Sequence, residues 1–178
     1  MSFFSKAKKL FKKTVSGKDR GAEEIKEPVG SKSPGGLPKT DITRSTPTRE
    51  AIESELLRGS ETSIIGLVDL LIQYSYELRA SDIHIEPESE RMRIRFRVDG
   101  VMHDIFVFPK ALQSEIITRI KVLSGLRIDE HQAAQDGRFK APIKEVGYVD
   151  VRISIAPTYY GENCIMRILA NKTEEFTL

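Results

Sequence analysis

Residues 91–100 read Arg-Met-Arg-Ile-Arg-Phe-Arg-Val-Asp-Gly. Met92, Ile94, Phe96 and Val98 alternate strictly with Arg91, Arg93, Arg95 and Arg97. A period of two marks a strand with one buried face and one wet face. Asp99-Gly100 tolerates positive φ, which a two-residue hairpin turn demands. This segment therefore requires a core on one side, a partner strand after the turn, and an environment for four guanidinium groups.

The flanking patterns supply that core. Ile64, Leu67, Val68, Leu71, Ile72, Ser75 and Leu78 form a helical stripe running to about Arg79. Ser81–Pro87 alternates as a short strand with Ile83 and Ile85 on one face, and Val101 to about Phe108 is the partner after the turn. Pro109–Ser124 is predicted helical, with Leu112, Ile116, Ile120 and Leu123 on one face and Gly125 closing the end. Residues 126–137 read as irregular. A short strand near Arg138–Lys140 follows, then strands at Tyr148–Ala156 and Glu162–Leu169. This order predicts an α+β domain with a mostly antiparallel sheet and helices packed on one side.

Composition shifts along the chain set its organisation. Residues 1–16 place Phe3, Phe4, Ala7, Leu10, Phe11 and Val15 at helical spacing among Lys6, Lys8, Lys9, Lys12 and Lys13. This basic amphipathic segment either docks on an anionic membrane surface or a partner, or stays a solvated, disordered tail. Residues 17–60 read as a flexible linker, rich in Gly, Pro, Ser and Thr. It has room for a short helix capped by Thr46, opened by Pro47 and stopped at Gly59. The folded domain is expected over residues 61–170.

The 178-residue chain has a net charge of +2, but residues 1–20 carry seven Lys or Arg and one acid. The rest is therefore mildly acidic, which argues against nucleic acid as a partner, as does a sheet without interleaved exposed aromatics. Cys164 is the lone cysteine, so no disulfide forms within the chain, which suits the cytoplasm. His84, His103 and His131 lack ligand spacing, so no metal site is expected. No apolar run approaches the ~18 residues of a membrane span. Glu86, Glu88 and Glu90 crowd one turn with no partner base, and no phosphate-cradling G-x-x-x-x-G-K-[ST] loop is present.

The last hairpin is the most telling site. Val149, Val151, Ile153 and Ile155 face one way, so Asp150, Arg152 and Ser154 face the other. The midpoint between Arg152 and Arg167 falls between Tyr159 and Tyr160. A symmetric hairpin would set the two arginines opposite each other, where like charges destabilise the pair unless an anion or an acid intervenes. A register different by one residue would leave them separately solvated.

Six motifs then fall in order: Ser81-Asp-Ile-His-Ile-Glu-Pro87, Arg95-Phe-Arg-Val-Asp-Gly100, Gln135-Asp-Gly-Arg138, Arg152-Ile-Ser154, Pro157-Thr-Tyr-Tyr-Gly-Glu162 and Met166-Arg-Ile-Leu169. Together they resemble the second N-terminal domain of the type II secretion and type IV pilus assembly ATPases of the GspE/PilB type, over about residues 64–170. The resemblance implies a PAS-like domain that precedes a RecA-like ATPase domain in a hexameric cytoplasmic motor. That motor drives pilus or pseudopilus assembly and works against inner-membrane platform proteins; a peripheral membrane contact through residues 1–16 follows from their basic amphipathic pattern and not from the resemblance. It also implies that Arg152 and Arg167 reach ATP phosphates at the cleft with the RecA-like domain. ATP and Mg2+ are then expected only when that domain is present. Residues 171–178 read as the start of a linker to it, so the chain alone is not expected to hydrolyse ATP. The alternative is a non-enzymatic adaptor that docks on the membrane platform or on a motor ATPase.

Overall fold

The structure, a computed structural model, describes residues 41–42 and 45–169. The segments 1–16 and 171–178, and the linker through residue 40, lie outside the described residues. The first element is helix α1 (Pro47–Leu57). Its N-cap is Thr46, in an extended conformation, whose hydroxyl accepts from the Arg49 backbone N–H at 3.2 Å, with Pro47 in the first turn. The short helix allowed within the linker thus forms, and it is packed. Ile52 is fully buried, so the core takes in residues N-terminal to Ser60.

Helix α2 (Ile64–Glu77) is capped by Ser63, which accepts from Gly66 N at 3.2 Å. It buries Leu67, Val68, Leu71, Ile72, Tyr74 and Ser75. The Tyr74 ring lies 5.9 Å from both Phe96 and Phe106, and its hydroxyl accepts from Arg49, tying α1 to the sheet through α2. Strands β1 (Asp82–Pro87), β2 (Arg91–Val98) and β3 (Val101–Pro109) follow. At the β2–β3 turn Asp99 and Gly100 have φ of 50° and 79°, and Val98 pairs with Val101, as the Asp-Gly pair demanded. A bulge interrupts the pairing at Ile94/Arg95.

A short 3-10 turn (Lys110–Leu112) leads into helix α3 (Gln113–Ser124), so the single helix expected from Pro109 is divided. Gly125 closes it with φ 66°. Strands β4 (Gln135–Ile143), β5 (Gly147–Thr158) and β6 (Gly161–Leu169) complete the fold. β4 is much longer than the fragment expected near Arg138–Lys140, because its first half carries few apolar residues to announce it.

All six strands form one antiparallel sheet in the order β3-β2-β1-β6-β5-β4. The contact between β1 and β6 joins the two ends of the domain at the sheet centre. One face is dry: Ile83, Ile85, Ile94, Phe96, Val151, Ile153, Ile155 and Met166 are buried in the same cluster as the helix stripes. Cys164 belongs to this face, and burial pushes its thiol pKa far up, so it is an inert core side chain. The opposite face carries the charges. No helix among the described residues is long and apolar enough to cross a membrane.

Candidate functional site

The wet face of β2 is neutralised locally. Arg91 and Arg93 both pair with Glu88, the former at 2.5 Å. Arg95 meets Glu86 at 3.3 Å and Asp104 at 3.1 Å, and Arg97 meets Asp82 at 3.4 Å. The acidic turn that looked crowded is therefore the counter-charge of the arginine stripe. That stripe is a structural surface.

The C-terminal half of the sheet differs. β5 and β6 extend to Thr158 and Gly161, leaving only Tyr159 and Tyr160 in the turn, a tighter link than strands ending at Ala156 and resuming at Glu162 would leave. The hairpin is symmetric, and Arg152 pairs directly with Arg167. On the next strand Arg138 pairs with Arg152, and on the other side Asp82 pairs with Arg167 and then with Arg97. One straight row across the wet face thus reads Arg138, Arg152, Arg167, Asp82, Arg97. Neighbouring strands lie about 4.8 Å apart, so the first three positions fall within about 10 Å.

Asp82 is the pivot of this row. Its side chain is 6% exposed, although it lies on the wet face, because two arginines cover it. Oδ1 accepts from Arg167 Nε at 2.9 Å, and Oδ2 accepts from the Ser81 hydroxyl at 2.8 Å with Arg97 Nε 3.4 Å away. Burial alone would raise the Asp82 pKa. The hydrogen bonds from Arg167 and Ser81, with the charges of Arg167 and Arg97, outweigh it and hold the carboxyl below the usual range. Ser81 is itself fixed by backbone hydrogen bonds to both flanking strands, from its N to Arg97 O and from Ile168 N to its O, each 2.9 Å. Arg167 donates to Asp82 through Nε alone and stays 64% exposed, so its two terminal nitrogens remain available to an anion.

Asp82 does not lie between Arg152 and Arg167. It sits on the far side of Arg167, and Arg152 and Arg138 are exposed with no ion pair to any described residue. Sequence patterning found the Arg152–Arg167 pair through hairpin symmetry. It missed Asp82, whose place depends on β1 pairing with β6 far along the chain, and Arg138, whose strand opens without an alternating pattern.

A second polar cluster positions β4. On α3 Lys121 is 1% exposed, and its ammonium forms an ion pair with Glu162 Oε1 at 2.6 Å and donates to Glu130 O at 2.5 Å. His131 Nδ1 meets the other Glu162 oxygen at 2.9 Å. Glu130 Oε1 accepts from Gln132 N and Ala133 N, and Gln135 bonds the backbone of Arg127 in both directions. The irregular segment before β4 is therefore stapled. Gly137 lies so close to α3 that a Cβ there would sit 3.0 Å from both Ser124 Cβ and Leu126 Cδ2, so glycine is what lets the strand bearing Arg138 approach.

A family model described as "Type II/IV secretion system protein" matches residues 58–178. The chain is 44% identical over 120 residues to "Type II secretion system protein E" of Xanthomonas campestris pv. campestris, covering 66% of this chain and 21% of that protein. It is 41% identical over 110 residues to "Type IV pilus assembly ATPase TfpB" of Acinetobacter baylyi, covering 62% and 19%. Among solved structures, one titled as the pilus retraction motor PilT with bound ADP aligns at 19% identity with a TM-score of 0.42, over 58% of this chain and 29% of that one. The chain spans about a fifth of the length of the curated relatives it matches.

Proposed function

We propose that this chain, which belongs to the type II/IV secretion system protein family, is the arginine-supplying part of a motor ATPase for pilus or pseudopilus assembly. In this reading Arg152 and Arg167 contact the phosphates of a nucleotide bound by a RecA-like domain, within a hexameric assembly that docks on inner-membrane platform proteins. The motor is cytoplasmic, and residues 1–16 add a peripheral contact with the membrane. The PAS-like description of the domain belongs to the same reading.

One observation carries it: two arginines face each other across β5 and β6, and the one acid in their row, Asp82, pairs with Arg167 and Arg97 but not with Arg152. Directly opposed like charges cost stability, and a polyphosphate lying over them would remove that cost. ATP with Mg2+ supplies the phosphoryl-transfer chemistry when bound to the partner domain. Arg152 and Arg167 would stabilise the charge that develops on the transferring phosphoryl oxygens, as preorganised donors do in such reactions. Asp82 holds Arg167 by Nε so that its terminal nitrogens face outward.

The test is a reconstituted hydrolysis assay, with this chain added to a RecA-like half from the same family. Wild-type chain should raise the rate, and Arg152→Gln or Arg167→Gln should lower it by roughly 10²-fold or more. An unchanged rate with either variant would remove the phosphate role and leave a docking domain.

A further inference from the structure

The Gln135-Asp-Gly-Arg138 motif has no part in the reading above, yet the sheet delivers Arg138 to the same row. The geometry points to Arg138 as a third contact of a polyphosphate site, with Arg152 at its centre and Arg138 and Arg167 on either side. This inference rests on the phosphate role of Arg152 and Arg167 and extends it to β4.

Three observations carry it. Arg138 and Arg152 are paired positions on adjacent strands, both exposed, and neither is in an ion pair with a described residue. The nearest carboxylates on that face are Asp136 and Asp150, two residues along β4 and β5; they pair with Ser154 and with Lys140 and Leu169, and neither makes an ion pair with a described residue. Asp82, the one acid in the row, is already shared between Arg167 and Arg97. Positive charge is therefore left over at Arg138 and Arg152 and partly offset at Arg167.

The backbone that bears Arg138 is held in place. Gly137 abuts Ser124 and Leu126, and Gln135 is locked to Arg127 and Glu130. The buried Lys121–Glu162 pair ties that loop to the start of β6, the strand that carries Arg167. Arg138 and Arg167 are thus fixed to one framework from both sides of Arg152. Three guanidinium groups over about 10 Å suit a chain of linked phosphates better than a single phosphate or carboxylate, which two of them would saturate. Arg97, beyond Asp82, lies outside the site.

The full chain is titrated with sodium tripolyphosphate at low ionic strength, following arginine Nε–Hε resonances by NMR. Arg138, Arg152 and Arg167 are expected to move on one saturation curve while Arg97 stays still. Arg138→Gln should weaken binding about tenfold, the loss of one charge-assisted contact, and Arg97→Gln should change it less than twofold. An Arg138 resonance that stays still while those of Arg152 and Arg167 move overturns the inference and spares the phosphate role. So does an Arg138→Gln affinity within twofold of wild type. Absence of binding to the chain also overturns it, since a preorganised row should bind unaided, and the phosphate role is then judged by the hydrolysis assay alone.

Discussion

Asp82 carries more of this molecule than its place at the start of a short strand suggests. It is a carboxylate on the wet face, covered by the guanidinium groups of Arg97 and Arg167 and bonded to the Ser81 hydroxyl. Because these partners hold its pKa below the unfolded value, the linkage has a definite sign. Its stabilisation is fully present above the unfolded pKa and is lost as pH falls through the folded one. Asp82→Asn keeps the shape and removes the charge, leaving the row without a counter-charge. Its unfolding free energy at pH 7, from urea titration, should fall by about 1–3 kcal/mol. Below pH 4 the gap between wild type and variant should narrow as Asp82 is protonated. A gap that stays constant down to the acid limit would mean that the charge contributes nothing.

Among the elements, α3 and β6 meet through the buried Lys121–Glu162 pair. Removing one member strands the other charge in the interior, which typically costs 3–5 kcal/mol, whereas replacing both with apolar side chains is often neutral or better. Lys121→Met alone should therefore be strongly destabilising in urea, and Lys121→Met with Glu162→Leu should recover most of the loss. If the double variant is as weak as the single one, the pair is not an isolated electrostatic unit. This pair was not legible in the sequence. Leu112, Ile116, Ile120 and Leu123 define a stripe that leaves a lysine at 121 to be read as solvated, and only the crossing of β6 encloses it. The β2 and β5–β6 hairpins were legible, because alternation sets each face and a short turn sets the register between neighbours in sequence. The pairings of β1 with β6 and of β4 with β5 were not, since the first joins distant segments. β4 opens with Gln135-Asp-Gly-Arg138, which lacks the alternation that Phe139, Ala141 and Ile143 show later. Arg152 and Arg167 were thus readable as a pair, while Arg138 and Asp82 needed the sheet.

Taken whole, the domain is a sheet with one dry face and one charged face, and the charge on the second is not evenly compensated. Around β2 every arginine has a carboxylate partner; around β4 and β5 two, Arg138 and Arg152, have no ion pair among the described residues. Such a row lowers the stability of the unliganded fold by tenths of a kcal/mol or more for each opposed pair. Arg152→Gln removes the central charge and both repulsions. In low salt its melting temperature should lie above wild type by a degree or more, at about 2–8 °C per kcal/mol for domains of this general size. Near 1 M salt, where the screening length is about 3 Å, the difference should largely vanish. Tripolyphosphate should reverse the order: wild type gains stability in proportion to RT ln(1 + [L]/Kd), while the variant gains little. The decisive measurement is thus a pair of melting curves, with and without the anion at matched ionic strength. An Arg152→Gln chain that melts below wild type in low salt and gains as much from the anion would show that the row is neither strained nor an anion site.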